Sequence, residues 1–265
     1  MGISKAILQH CWIGCCAVAL LAQTRLLFGL PLAFGALEGT VFCGSLFAYN
    51  VVRNARLPRA LAFASGLIGI VCFLAIPVAA QALVLFAACA WTLYYTAYAP
   101  VQPALRTVPL MKPFTIAFTW SLVTALLPLP PSMWSDAVFL VVGRAAFILA
   151  LALAYDVCDE AQDRKFGLQT LVVRLGRINA FRVIDCALLV SAACVIANFL
   201  LDNYSAAAAV ALFLSLAACA WLLRVVLREV EINATQKVMI DTMMLLQFLI
   251  VLIETSVTRG YPFFF

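Results

Sequence analysis

The chain has 265 residues, of which 66% are hydrophobic and only 11% are charged, and its formal net charge at pH 7 is +5. Soluble globular domains carry about 25% charged residues, so this composition excludes a water-soluble domain. The surplus apolar side chains are expected to face lipid, and no nucleic-acid partner is expected.

Apolar segments recur along the whole chain and predict transmembrane helices, each of which needs about 20 apolar residues. No small-residue cleavage site follows the first segment, so we interpret it as a span and not as a cleaved signal peptide. No segment favours a β-strand. The predicted fold class is all-α: a polytopic membrane protein with about nine transmembrane helices, and with residues 1–265 in one integral membrane domain. In chain order the predicted spans cover residues 6–23, 31–51, 60–79, 81–98, 113–130, 135–155, 182–200, 204–222 and 238–257.

Basic residues are unequally distributed between the two membrane faces that nine spans define. One face collects 14 of the 17 Lys and Arg residues. The positive-inside rule makes that face cytoplasmic, together with the loops 50–59, 98–113 and 156–181. We therefore predict a multi-pass protein of a bacterial inner membrane. The basic residues of this face are Lys5, Arg53, Arg56, Arg59, Arg106, Lys112, Arg164, Lys165, Arg174, Arg177, Arg182, Arg224, Arg228 and Lys237.

Two segments that close the second and sixth predicted spans form a weak internal repeat. They read AYNVVRNARL at residues 48–57 and AYDVCDEAQD at residues 154–163. Glu38 and Arg144 occupy matching positions in the two spans, about 18 Å along a helix before the polar ends. Charged side chains inside a membrane need partners, so we predict that Glu38 and Arg144 form a buried structural ion pair.

Acidic residues are concentrated where the sixth predicted span leaves the membrane, with four of the chain's 12 at residues 156–163. Asp156, Asp159 and Asp163 have the spacing i, i+3 and i+7, so a helix places them on one face. Glu160 points away from them, towards water. Stacked carboxylates repel unless a cation lies between them, and this donor set suits Mg²⁺, which shares its coordination with substrate phosphates. The alternative is an ordinary polar helix end with hydrated carboxylates.

The cysteine and histidine content argues against several kinds of site. Nine of the 10 cysteines lie in apolar segments without C-x-x-C pairs, and His10 is the only histidine. Small thiols packed between helices are therefore favoured over a zinc or redox site. A single histidine also leaves no Ser/His/Asp or Cys/His arrangement for nucleophilic catalysis.

The run from Asp156 to Leu171, D-x-x-D-x-x-x-D-x-x-x-G-x-x-T-L, resembles the second aspartate-rich motif of the UbiA-type intramembrane prenyltransferases. The segment 98–113 is also similar to that family, and nine spans match its architecture. The resemblance implies a UbiA-like helical bundle around a lipid-open cavity. It further implies that Mg²⁺ and two aspartate-rich motifs bind a prenyl diphosphate, whose prenyl group passes to a lipophilic acceptor in the membrane. The oligomeric state stays open.

The resemblance also implies roles for individual residues. Asp156, Asp159 and Asp163 are expected to be catalytic and, with Asn50 and Asn54, to bind the metal. The residues expected to contact the substrate diphosphate are Asn50, Arg53, Tyr98, Arg106, Lys112 and Lys165.

The first motif of the family, N-x-x-x-D, departs from its usual form here. It reads Asn50 to Asn54, with Pro58 at a further acidic position. An amide oxygen ligates Mg²⁺ without adding negative charge, so the metal is held more weakly. We hypothesise that Arg53, in the repeat position of Asp159, offsets part of the diphosphate charge. Three functions remain open: prenyl transfer, a terpene cyclase or prenyl-diphosphate hydrolase on the same scaffold, and a non-catalytic lipid-binding paralogue.

Overall fold

The computed structural model describes residues 3–52, 57–96, 111–227 and 234–259. These ranges contain nine α-helices, as the sequence predicts, and no β-strand. The helices are α1 (Ile3–Leu27), α2 (Ala36–Val52), α3 (Arg59–Ala75), α4 (Val78–Thr96), α5 (Met111–Ser121), α6 (Val138–Lys165), α7 (Leu171–Leu200), α8 (Ala206–Val226) and α9 (Ala234–Arg259).

The helices have the length and polarity of an integral membrane protein. Five of them, α1, α6, α7, α8 and α9, are long and apolar enough to cross a membrane, while α3 and α4 are apolar but shorter. On α3 the side chains of Phe63 and Leu74 are 75% and 68% exposed, whereas Ser65 is buried. Apolar side chains outside and polar ones inside are expected where the surrounding solvent is lipid.

The ends of α6 and α7 extend beyond their predicted spans. α6 continues to Lys165 and α7 begins at Leu171, so the predicted loop 156–181 is largely helical. The two helices are joined by a turn at Gly167, whose φ of 68° is a left-handed value that favours glycine. A hydropathy profile detects only the part of a helix that lies in the hydrocarbon layer, so it does not detect the polar ends of α6 and α7.

Small residues allow α6 and α7 to approach each other closely. A Cβ atom added to Gly143 would lie 2.9 Å from the Cβ of Cys194 and 3.6 Å from the carbonyl oxygen of Ser191. Helices in membranes associate through such small-residue contacts, because lipid provides no hydrophobic drive between them.

We expect Gly143→Ala to lower the midpoint of thermal unfolding, because the added methyl group must push α7 away at a typical cost of about 1–3 kcal/mol. Gly66→Ala is the matched control, since nothing lies within 4 Å of a Cβ atom at that position. Tryptophan fluorescence of the purified proteins in detergent measures both midpoints. Equal midpoints for the two variants would show that the α6–α7 contact has room for a methyl group.

The predicted ion pair between Glu38 and Arg144 is wrong. The Glu38 carboxylate pairs with the Arg25 guanidinium at 3.1 Å. The Arg144 guanidinium donates to neutral oxygens of α1 and of the π-helical turn Leu122–Leu126 that follows α5. The physical reason is that α1 packs against α2 and also supplies side chains and carbonyls to α6, so each charge finds its partners on α1.

Candidate functional site

The candidate site lies at the end of α6, where three aspartates share one helix face. α6 has 28 residues, about 42 Å of helix, which exceeds a hydrocarbon layer of about 30 Å. Its last turns therefore extend beyond that layer. Asp156 and Asp163 are buried, with 1% and 8% of their surface exposed, and Asp159 is partly buried. Carboxylates this close need positive charge or hydrogen bonds to offset their repulsion.

Asp156 obtains its positive charge from Lys112 in the first turn of α5. Lys112 Nζ lies 2.7 Å from Asp156 Oδ1, and the carboxylate is 2% exposed while the lysine side chain is 39% exposed. Pro113 follows in the same turn, where a missing backbone N–H removes no helical hydrogen bond. Lys112 was predicted to contact a diphosphate, and the structure places it against the aspartates.

Asp159 pairs with Lys237 near the start of α9, a contact that the sequence did not predict. Tyr155, one turn before Asp159, donates its hydroxyl to the backbone carbonyl of Lys237 at 2.9 Å. α6 thus holds the start of α9 through both the side chain and the backbone of Lys237. The sequence signal for this residue is weak, because a lysine directly before a span is already explained by membrane topology.

Asp163 is positioned by the turn that ends α6. Its backbone carbonyl accepts a hydrogen bond from the Leu168 N–H at 2.9 Å, around the left-handed Gly167. Its side-chain Oδ2 is buried and has no hydrogen-bond partner in the described part of the chain, and the same holds for Thr170 Oγ1. The Thr170 hydroxyl lies near this carboxylate but without the geometry of a hydrogen bond. Asp163 Oδ2 and Thr170 Oγ1 are therefore two neighbouring polar atoms that have capacity for a further hydrogen bond or ligand.

The residues of the first motif are only partly described. Asn50 Oδ1 accepts a hydrogen bond from the Leu57 backbone N–H at 2.7 Å, so this amide braces the connection between α2 and α3. An amide oxygen has a second lone pair, and the metal-binding role of Asn50 stays a prediction. Four of the predicted site residues lie outside the described residues: Arg53, Asn54, Tyr98 and Arg106.

Three further charged residues lie in the last turns of α6: Glu160, Arg164 and Lys165. Glu160 pairs with Arg164 one turn later at 2.9 Å, and the Arg164 side chain is 54% exposed. Lys165 is exposed in the last turn. Its predicted contact with a diphosphate stays a prediction.

The donor chemistry of the aspartate face fits one Mg²⁺. Carboxylate oxygens are preferred ligands of this ion, and Asp163 Oδ2 has no other described partner. Within the described ranges, no three His, Cys, Asp or Glu side chains are already arranged around a metal position, and Asp156 and Asp159 are each paired with a lysine. Asp163 is therefore the residue whose oxygen fits a cation directly. The remaining ligands of such an ion would come from substrate phosphates, water and the neighbouring aspartates.

Comparison with known proteins assigns the chain to a family. The UbiA prenyltransferase family matches residues 54–249. Solved structures similar to the whole chain include the apo structure of a UbiA homolog from Aeropyrum pernix K1, with a TM-score of 0.63 and 16% identity over 98% of this chain and 99% of that one. Another is a structure described as giving insights into the biosynthesis of digeranylgeranylglyceryl phosphate synthase in membranes, with a TM-score of 0.58 and 13% identity over 96% and 98% of the two chains. At these identities the likeness shows the fold. No protein of curated function matches the chain significantly.

Proposed function

The chain belongs to the UbiA prenyltransferase family, and on that basis we propose that it transfers a prenyl group from a prenyl diphosphate to a lipophilic acceptor within the membrane, in a Mg²⁺-dependent reaction. The observation that supports this most directly is the aspartate face of α6. There, Asp156 and Asp159 are each paired with a lysine, and Asp163 has a buried oxygen without a described partner. Such a face combines cations for a diphosphate with oxygens for a metal.

Lys112 and Lys237 are the residues that we propose to contact the diphosphate first. Their side chains are 39% and 36% exposed, so both are partly accessible while their ammonium groups contact the aspartates. An ammonium group has three N–H donors, which allows one lysine to bridge a carboxylate and a phosphate oxygen. Arg53, Arg106, Tyr98 and Lys165 remain proposed contacts of the same diphosphate.

The reaction requires stabilisation of the negative charge on the departing diphosphate. When bound, Mg²⁺ supplies Lewis-acid stabilisation of that charge. We propose that Asp163 holds the ion together with Asp156 and Asp159, with Asn50 and Asn54 as further ligands. The two lysines place fixed positive charge beside the oxygens of the departing diphosphate. The apolar bundle keeps water from the allylic cation, so the lipophilic acceptor captures it.

Release of diphosphate from geranyl, farnesyl and geranylgeranyl diphosphates by the purified protein in detergent tests the proposal. We expect release to need Mg²⁺ and to stop when the metal is chelated. Mass spectrometry of the extracted lipids then separates the functions. A prenylated acceptor supports the transfer, a free terpene or alcohol indicates cyclisation or hydrolysis, and binding without release for every acceptor added indicates a non-catalytic paralogue.

The number of Mg²⁺ ions that diphosphate release requires is a separate prediction. Because the first motif offers amides and no carboxylate, we expect diphosphate release to depend on Mg²⁺ with a Hill coefficient of about 1. A titration of Mg²⁺ at saturating prenyl diphosphate measures it. A coefficient close to 2 would contradict a single ion and would assign a second one to Asn50 and Asn54.

A further inference from the structure

Arg144 is a buried positive charge that has no carboxylate partner among the described residues. It lies on α6 about 18 Å before Asp156 along the helix axis and is 4% exposed. Charged side chains within membrane-spanning helices nearly always pair with an opposite charge or face a polar cavity. No described carboxylate lies within ion-pair distance of Arg144. The acid predicted to serve it, Glu38, is held by Arg25 instead.

The hydrogen bonds of Arg144 go to neutral oxygens. Its guanidinium donates to the Leu20 carbonyl at 3.1 Å and to Gln23 Oε1 at 2.6 Å. Longer contacts reach the hydroxyls of Thr124 at 3.4 Å and Thr24 at 3.5 Å. These dipoles orient the guanidinium, but they leave its net charge in a low-dielectric interior, where an uncompensated charge is expensive.

The π-helical turn Leu122–Leu126 shapes one side of this environment. A π-helical turn has backbone hydrogen bonds from residue i to residue i+5, and such turns are frequent at functional sites in helices. The Thr124 carbonyl accepts a hydrogen bond from the Thr24 hydroxyl of α1 at 2.8 Å, and the Thr124 hydroxyl donates to the Trp120 carbonyl at 2.7 Å. The turn thereby ties the end of α5 to α1 and directs the Thr124 hydroxyl oxygen towards Arg144.

A cavity of about 30 Å³ adjoins Arg144, with walls from α1, α6, α7, α8, α9 and the turn after α7. On this measure one water needs roughly 10–15 Å³, so the space suits about two waters or one anion of halide size. Ser191, Tyr204 and Gln247 line it, and each is at most 5% exposed. None of these three side chains forms a hydrogen bond with another described residue. Three polar side chains around one charged cavity are available to donate hydrogen bonds to a ligand that accepts them.

The turn after α7 is built to bring Tyr204 to this cavity. Asp202 adopts a left-handed backbone conformation with φ 59°. Asn203 Nδ2 then donates to the Asp136 carbonyl at 3.0 Å, which fixes the turn against the start of α6. The Tyr204 ring packs edge-on against Phe28, with centroids 6.2 Å apart. The hydroxyl end of Tyr204 is therefore held in place at the cavity.

We propose that this cavity binds one small monovalent anion of chloride size, with Arg144 as its cationic partner. The hydroxyls of Ser191 and Tyr204 and the amide of Gln247 are its further donors, since each has an N–H or O–H without another described acceptor. Water alone satisfies the donors but leaves the guanidinium charge uncompensated, which is the reason to favour an anion. The cavity volume of about 30 Å³ favours a small anion over a lipid headgroup or an aromatic acid. The anion links α6, α7, α9 and the turn after α7 through these four residues, and the proposal does not depend on the prenyl-transfer activity.

Thermal unfolding of the full-length protein in detergent tests the site, with sodium chloride, sodium bromide and sodium gluconate compared at equal ionic strength. We expect the midpoint to rise saturably with chloride or bromide and not with gluconate, because a ligand that binds only the folded state stabilises it. Tyr204→Phe and Ser191→Ala keep Arg144 and each remove one donor. We expect each to raise the half-saturating chloride concentration about tenfold, the loss typical of one hydrogen bond to a charged group.

Ser215→Ala is the matched control, because this buried hydroxyl donates to the Leu212 carbonyl of its own helix at 2.7 Å and does not line the cavity. Its chloride response should equal that of the unchanged protein. Crystals grown in bromide then locate the ion, and an anomalous peak beside the Arg144 guanidinium is the expected result. Absence of that peak means that the cavity holds water only and overturns the proposal. A chloride response that is unchanged in both Tyr204→Phe and Ser191→Ala overturns it as well, because the ion then binds elsewhere.

Discussion

Asp156→Ala is expected to lower the rate of diphosphate release by about 10²–10³-fold, the usual loss when one electrostatic contact to a developing charge is removed. Asp156 is the most deeply buried of the three aspartates and lies 2.7 Å from the Lys112 ammonium. Its loss removes a proposed metal ligand and also frees Lys112 from the orientation that the ion pair gives it. Release measured under saturating Mg²⁺ and prenyl diphosphate gives the ratio of the two rates.

Glu160→Gln is the control for this experiment, because it removes a carboxylate from the same turns of α6 whose described partner is Arg164 and not one of the two lysines. Glu160 pairs with the exposed Arg164, and surface ion pairs of this kind are worth about 0–1 kcal/mol. We expect its release rate to stay within about twofold of the unchanged protein. If the Asp156→Ala variant unfolds at the normal temperature and releases diphosphate at the normal rate, the aspartate face takes no part in the reaction. Asp156→Asn, which keeps the shape and loses the charge, then separates charge from packing.

The helices and the aspartate face are predictable because their signals are local. Each span is an apolar segment long enough to cross lipid, and its position does not depend on its neighbours. The grouping of Asp156, Asp159 and Asp163 on one face follows from helical periodicity alone. Gly167 ends α6 because a left-handed residue is needed there, and that preference is also local.

Partners between helices are not predictable in the same way, because they depend on which helices are neighbours. The repeat placed Glu38 and Arg144 at equal depth, but α1 contributes Arg25 to Glu38 and Gln23 to Arg144, so neither charge reaches the other. Lys237 was missed for the same reason. Its sequence position is that of a topology signal, and only the packing of α9 near α6 brings it to Asp159.

The second large effect is expected when both lysines of the aspartate face are removed. A hydrogen bond to a charged group contributes about 1.5–3 kcal/mol, which corresponds to roughly 10- to 150-fold for each lysine. Lys112→Met and Lys237→Met should each weaken binding of a non-hydrolysable prenyl thiodiphosphate by at least about tenfold, and the double variant by about 10²-fold or more if the contacts are independent. Isothermal titration calorimetry of the protein in detergent measures the three affinities.

Arg224→Met is the matched control for the lysine variants, because it also removes one positive charge from an ion pair between two described helices. Arg224 pairs with Asp185 at 2.6 Å, and the two side chains are 63% and 37% exposed. Its affinity for the thiodiphosphate should stay near that of the unchanged protein, since Arg224 pairs with Asp185 and not with an aspartate of that face. Lys237→Arg keeps the charge and is expected to recover part of the lost affinity. Normal thiodiphosphate affinity in the double variant would mean that the lysines only neutralise the aspartates.

The affinity for Mg²⁺ separates these two roles of the lysines. Removal of a lysine that contacts the diphosphate should raise the affinity for Mg²⁺ and lower the affinity for the thiodiphosphate. Lys237→Met leaves the Asp159 carboxylate without its ammonium partner, so the aspartate face becomes more negative and its oxygens are released for a cation. Mg²⁺ should therefore bind more tightly in the absence of the thiodiphosphate, with a lower Mg²⁺ concentration at half-maximal binding. The thiodiphosphate itself should bind more weakly. A lysine with a purely structural role would weaken both, through loss of the contact between α6 and α9. The sign of the change in Mg²⁺ affinity thus tells a lysine that shares its aspartate with the substrate from one that merely holds two helices together.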